Sequence, residues 1–307
     1  MSTVRDTAAQ LFTPIYDEFA LGTYAEHTQV HPTVFQTVMD NTKEYKVDDV
    51  SGLGIWESAD EGSGGGYADP VLGYPKTYTQ GKLWKKFQVS FEAFDHDEYA
   101  LLKKEKEAKE MGRGGRAKVE LDCATTLYNG FSVAGPDGQY LWDDDHPKNR
   151  EETSTTYDNL LSGAFSHDNL ELAETQIAAN FFSMDGLPVM PEETPLLVYP
   201  IALRGAVKRV LSERAQERPG TTLRDINRFA GEYRAVEWIY TGAAFGGSNT
   251  AWYIIFPSLG YLKIVWTAKP HFTAWVDEDN EYFKFKGRML YAQGADNWRA
   301  GFASTGT

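Results

Sequence analysis

Residues 86–128 read KFQVSFEAFDHDEYALLKKEKEAKEMGRGGRAKVELDCATTLY, and a change of rhythm inside them decides the architecture. Phe87, Val89 and Phe91 alternate with Lys86, Gln88 and Ser90, the period of two that gives a strand one buried face. From Asp95 the pattern becomes helical. Asp95 with Glu98 has capping-box spacing, with Asp in place of the usual Ser or Thr. Tyr99, Leu102 and Met111 follow within a run rich in Lys, Glu and Ala, which predicts a long helix. Gly112-Arg113-Gly114-Gly115 interrupts it, since glycine is about 1 kcal/mol worse than alanine in a helix interior. Ala117, Leu121, Ala124 and Tyr128 then resume a spacing of three and four. The expectation is a long helix with a kink or short break.

Toward the N-terminus, turn chemistry is concentrated in Gly62-Ser63-Gly64-Gly65-Gly66, Asp69-Pro70 and Gly73-Tyr74-Pro75. Residues 52 to 91 therefore read as one long hairpin. Two strands alone in water are marginal, so such a projection needs its apolar face covered by another molecule. The candidate contacts are Gly62, Gly64, Gly65, Gly66 and Tyr67 at the tip, and Lys82, Lys85 and Lys86 at the base. Residues 1 to 50 mix short apolar clusters with polar spacers and read as an arm, with Leu11, Phe12, Ile15 and Tyr16 as its contacts.

Toward the C-terminus, residues 135 to 157 are polar and acidic, with a turn at Pro136-Asp137-Gly138. Residues 168 to 184 form a helix opening at an Asp168 cap, with Leu170, Ala173, Ile177 and Phe181 on one face. Leu196 to Tyr199 is a short apolar strand, and Pro200 separates it from a helix over 201 to 214. Strands follow at 235–241, 250–256 and 261–267, and Phe283 and Phe285 against Lys284 and Lys286 mark a last long strand. A sheet with helices packed on it is implied. No internal repeat of solenoid length is present.

The chain has 307 residues, 42% of them hydrophobic, enough for one large core or two modest ones. Its formal charge of −14 argues against a nucleic-acid binder, which needs clustered Lys and Arg. One cysteine, Cys123, excludes an internal disulfide framework and a multi-cysteine zinc site, and fits a reducing compartment. No stretch reaches the roughly 18 uninterrupted apolar residues of a membrane helix, so no membrane is expected as a partner. The 8 Trp, 17 Tyr and 17 Phe carry contact energy in cores and in subunit interfaces.

Asp143-Asp144-Asp145-His146 has metal-ligand chemistry but no partner cluster at diagnostic spacing, and reads as a solvated turn. Gly62 to Gly66 lacks the Gly-Lys-Ser/Thr and helix of a phosphate loop. Cys123 falls inside the helical pattern, so a packed residue is favoured over a nucleophile served by His27, His31, His96, His146, His167 or His271. The lysines from Lys103 to Lys118 are interleaved with Glu105, Glu107 and Glu110, as on a solvated helix face. No catalytic, cofactor or metal site is expected. Asp143, Asp144 and Asp145 are instead candidate acidic partners on a neighbouring copy for Lys82, Lys85 and Lys86.

The order of parts, arm, glycine-tipped hairpin, long helix, helix-and-sheet region and late strand, resembles the HK97-like capsid fold nearly end to end. Leu196-Leu197-Val198-Tyr199-Pro200 and the helix after it are similar to that family's strand, proline and helix element. Gly287-Arg288-Met289-Leu290-Tyr291-Ala292 through Asp296-Asn297-Trp298-Arg299 is similar to the sequences that close many members, the Mu-like major head subunits above all. The resemblance implies an α+β fold with an arm (1–50), an extended hairpin loop (51–91), a peripheral domain with a spine helix (92–135 and 268–307) and an axial domain (136–267). It implies a structural major capsid protein, assembling as pentamers and hexamers into an icosahedral phage shell around double-stranded DNA. Implied partners are copies of itself, scaffolding protein and portal during assembly, a decoration protein, and packaged DNA held without sequence-specific binding. The implied place is the virion, after assembly in the host bacterial cytoplasm. A long charged coiled-coil-like leader is missing, and Met1 favours a separate scaffolding protein. Two rivals stand beside this reading, an encapsulin-type compartment of the same fold and a polysaccharide-active enzyme using acidic and aromatic residues.

Overall fold

The computed structural model describes residues 18, 20–25, 29–56, 58, 67, 69–92, 101–189, 193–212, 216–217, 224–225 and 227–307, with backbone alone for 101–105, 216–217 and 224–225. Leu11, Phe12, Ile15 and Tyr16, the tip glycines Gly62, Gly64, Gly65 and Gly66, and the Asp95–Glu98 capping box lie outside the described residues.

Among the elements bounded within the described residues, two sheets and four α-helices form the frame. Helix α1 is His31–Val34, α2 is Leu101–Tyr128, α3 is His167–Asn180 and α4 is Arg204–Val210. One sheet has the order β1 (Gln36–Met39), β13 (Leu262–Asp277), β14 (Tyr282–Ala295), β4 (Gly81–Ser90), with β1 parallel to β13 and the other pairs antiparallel. The other has the order β11 (Arg234–Glu237), β8 (Leu196–Tyr199), β12 (Trp252–Ile255), β15 (Gly301–Ser304), β7 (Leu160–Leu161). Three short pairs complete the strands: β2 (Glu44–Val47) with β3 (Lys76–Thr79), β5 (His146–Pro147) with β6 (Thr156–Tyr157), and β9 (Gln216–Glu217) with β10 (Arg224–Asp225).

The five-stranded sheet is buried on both faces. Leu196, Val198, Tyr253, Ile255 and Ala303 enter one core with Val119, Cys123, Ala124 and Leu127 of α2. Their neighbours Leu197, Tyr199, Trp252, Ile254 and Phe302 enter a second core with Leu170, Ala173 and Ile177 of α3. Burial on both sides is why these strands read as unbroken apolar runs. Each fully buried Leu or Ile contributes roughly 1.5–3 kcal/mol.

In the four-stranded sheet, Phe87 stacks on Phe285 at 4.6 Å, and Phe91, Phe283 and Phe285 pack against Ala108 of α2. This corrects the reading of residues 52–91 as a single hairpin. Strand β3 pairs with β2, and β4 pairs with β14 from Gly81 opposite Tyr291 to Ser90 opposite Tyr282. The apolar face of Phe87, Val89 and Phe91 is thus covered by the chain's own sheet and helix. Alternation reveals that a strand has a buried face, not which segment buries it.

Residues 31–47 likewise belong to the body rather than to an arm. Val34 and Phe35 are in the first core, β1 lies on the edge of β13, and the buried His31 places Nδ1 2.8 Å from Glu120 Oε1 of α2. The main-chain N–H of Val30 donates to the same Glu120 oxygen at 3.0 Å.

Helix α2 has no break at Gly112–Gly115. A Cβ on Gly112 would lie 2.1 Å from the carbonyl oxygen of Ala20, so this glycine admits the backbone of the 20–25 segment against the helix. Ala20, Met111 and Phe272 close the contact, and Arg116 Nη1 donates to the Tyr24 carbonyl at 2.8 Å. Tertiary packing overrides propensity here.

Helix α3 is capped by Ser166, whose hydroxyl accepts from Asn169 N–H, rather than by Asp168, and it ends at Asn180. Helix α4 is shorter than expected and follows a 3₁₀ turn at Ile201–Leu203. Strand β13 runs ten residues past Thr267, through register shifts between Trp266 and His271 that accommodate Pro270.

Candidate subunit interfaces

The segment joining β2 to β3 is tied at its root and apolar beyond it. Ser51 N–H donates to the Val71 carbonyl at 2.9 Å, Gly73 N–H to the Asp49 carbonyl at 2.7 Å, and Val50 bridges Leu72. Asn297 Nδ2 donates to Asp49 Oδ2 at 2.7 Å, and Gly54 N–H donates to Asp185 Oδ2 at 3.2 Å. The Ser183 hydroxyl, with further N–H donors, holds the Asp185 carboxyl below the ordinary range. Past this root Leu53, Ile55, Trp56, Tyr67 and Leu72 are all exposed, Trp56 at 96% and Tyr67 completely. Such a concentration of exposed apolar side chains marks a contact surface. Of the tip residues singled out in the sequence, Tyr67 alone is described; Leu53, Ile55 and Trp56 were missed, although they flank Gly54 within the turn-rich stretch.

The three base lysines lie on β4, the edge strand of its sheet, where lysine discourages unwanted strand pairing. The pleat separates them. Lys85 shares the side of Leu83 and Phe87, whereas Lys82 and Lys86 share the opposite face with Trp84, which is 58% exposed. Lys86 Nζ is 4.3 Å from the Trp84 ring centroid, with Lys82 Nζ at 5.5 Å and Lys286 Nζ at 5.6 Å. Lys86 also lies 6.0 Å from Trp275 on β13. The negative ring faces hold these ammonium groups together against their mutual repulsion.

The structure does not bring Asp143, Asp144 and Asp145 to these lysines within one chain. Asp143 accepts from the N–H groups of Tyr140 and Asp144 at 3.2 and 2.9 Å, while Asp144 and Asp145 are exposed. His146 is buried, stacked on Trp298 at 4.8 Å, with Nδ1 2.7 Å from Asp137 Oδ2 and Nε2 3.2 Å from Asn159 Oδ1. Among the described residues no group of three His, Cys, Asp or Glu is arranged to hold a metal ion. Cys123 is buried in the first core, and burial pushes its thiol well above the ordinary value, the reverse of an activated nucleophile.

A long sheet carrying a long helix and a second sheet sandwiched between helices make up the HK97-like capsid fold. Solved structures bear this out. The virus-like particle from Pyrococcus furiosus matches at 12% identity and TM-score 0.52, over 95% of this chain and 99% of that one. The procapsid of bacteriophage JBD30 matches at 16% identity and TM-score 0.53, over 97% and 75%. The capsid of cyanophage P-SCSP1u matches at 10% identity and TM-score 0.60, over 91% and 90%. Within that fold the sequence points further: residues 82–176, from β4 through α2 and into α3, match the Mu-like prophage major head subunit gpT family. No curated protein sequence matches the chain.

Proposed function

We propose that this chain is a structural major head subunit, assembling with copies of itself into a closed phage-type shell. The observation that carries the reading is the Mu-like head-subunit match over residues 82–176 in a chain of which 91% aligns with a capsid structure. The exposed side chains of Trp56 and Tyr67 support it, since no described residue of the chain covers them. In this reading the segment joining β2 to β3 reaches over a neighbour, the arm with Leu11, Phe12, Ile15 and Tyr16 crosses another, and Gly62, Gly64, Gly65 and Gly66 let identical chains bend differently at non-identical positions. Lys82, Lys85 and Lys86 meet acidic residues of an adjoining copy, with Asp143 to Asp145 as one candidate. Residues 92–135 with 268–307 form the peripheral part and 136–267 the axial part. Hexamers and pentamers, a scaffolding protein, a portal, a decoration protein, packaged DNA and assembly in a bacterial cytoplasm complete the proposal.

Size-exclusion chromatography and negative-stain electron microscopy of the purified protein test it. Closed particles or capsomer-sized rings are expected, and a lone subunit at high concentration would refute it. An encapsulin-type compartment is the second reading, favoured by the near-complete mutual coverage with the Pyrococcus furiosus particle. Particle contents distinguish the two, nuclease-protected DNA against protein cargo.

A further inference from the structure

We infer that the outward face of the β4, β14 and β13 strands, centred on Trp84, Lys86 and Lys286, is a docking surface for a second copy of this chain, which enters it with the acidic turn at residues 277–281. The inference rests on the assembly reading above and names the partner surface.

The pleat places Phe87, Phe283 and Phe285 against α2, so Lys82, Trp84 and Lys86 of β4, Lys284, Lys286 and Arg288 of β14 and Trp275 of β13 share the other side. In a chain of net charge −14 this is a local reversal of sign. Lys284 pairs with Asp277, but among the described residues Lys82, Lys86, Lys286 and Arg288 have no ion-pair partner. At the end of the same hairpin, Glu278, Asp279 and Glu281 are exposed and equally without an ion-pair partner.

Apart from Lys284 with Asp277, the described residues of the two charge sets form no pair within one molecule. Lys286, opposite Lys86, is four residues from Tyr282, which places the turn about 13 Å away along a paired strand. That exceeds the screening length of about 8 Å in physiological salt. Each copy therefore offers one cationic face and one anionic turn, the geometry of a head-to-tail contact. The Asp143 to Asp145 turn fits the face less well, because the Asp143 carboxylate already accepts from two main-chain N–H groups.

Charge exchange tests the pairing. Lys86→Glu with Lys286→Glu, and separately Glu278→Lys with Asp279→Lys, are each expected to lower the yield of assembled particles at least about tenfold. The four changes together should restore it, because the pairs made by these four residues are then reversed on both sides. Circular dichroism verifies folding, and Lys86→Gln with Lys286→Gln replaces any reversal that fails to fold, with assembly then expected to lose salt dependence. The pairing is overturned if the four-change variant assembles no better than either pair. It is also overturned if Asp144→Lys with Asp145→Lys gives the rescue instead, or if reversing the face leaves assembly intact and only releases duplex DNA from the shell. Wild-type protein that forms no particles would instead defeat the assembly reading itself.

Discussion

Gly112 and Gly114 sit two residues apart in α2, yet alanine should act on them in opposite senses. At Gly114 a Cβ meets nothing within 4 Å, so Gly114→Ala gains only helix propensity, about 0.8–1 kcal/mol. At Gly112 the same gain is opposed by a Cβ placed 2.1 Å from the Ala20 carbonyl oxygen, a backbone atom that cannot rotate aside. Relief requires the 20–25 segment to lift, separating Ala20 from Met111 and Phe272 and straining the bond from Arg116 to Tyr24. Overpacking of this kind costs about 1–3 kcal/mol, which leaves Gly112→Ala neutral to about 2 kcal/mol destabilised. Thermal unfolding of the unassembled subunit should show Gly114→Ala raised by roughly 2–4 °C and Gly112→Ala unchanged or lowered. Hydrogen exchange should quicken at residues 20–25 in the Gly112 variant alone. Equal rises in both would show that the close approach is not made; falls in both would mean that the helix breaks where its glycines suggest.

Asn159 is a buried hub, donating to the Leu141 and Trp298 carbonyls at 2.9 and 3.0 Å and accepting from Asp143 N–H at 2.9 Å. Asn159→Ala orphans these groups and should cost about 3 kcal/mol, read from the urea midpoint of the subunit. The phenols of Tyr78, Tyr233 and Tyr291 donate to Asp296, Glu174 and Asp122, and burial first, then these carboxylates, raise all three above the ordinary value. Their folded-state values exceed the unfolded value near 10, so their stabilisation is complete below about pH 10 and is lost as pH rises through the folded values. The melting temperature should therefore be flat with respect to these groups up to about pH 10 and fall above it, in step with tyrosinate absorbance. Trp56→Ala should leave the subunit's melting temperature within about 1 °C, yet raise the concentration needed for assembly at least about tenfold. An unchanged assembly threshold would remove Trp56 from the interface.

The elements were legible where one rhythm dominates: β4, α2, α3 and β8 stand near their expected places. What escaped was partnership. Nothing in Phe87, Val89 and Phe91 says that β14 lies beside them, since pairing across some 200 residues is a tertiary fact. Pro270 reads as the end of a strand, yet a bulge carries β13 past it to Asp277. Gly112-Arg113-Gly114-Gly115 reads as a break, because propensity is visible in sequence and the approach of Ala20 is not. Among the candidate contacts, Tyr67 and the edge lysines can be proposed from the sequence, whereas the ladder of Trp84, Lys86, Lys286 and Trp275 needs the register of three strands.

Strand β15 has a consequence for timing. Residues 301–304 lie between β12 and β7, so the central layer stays open until that segment has left the ribosome. A nascent chain shorter than this lacks the wall on which Ala303 and Phe302 meet the two cores. The five-stranded layer, and with it the wall between the two cores, is thus complete only after synthesis has passed residue 304.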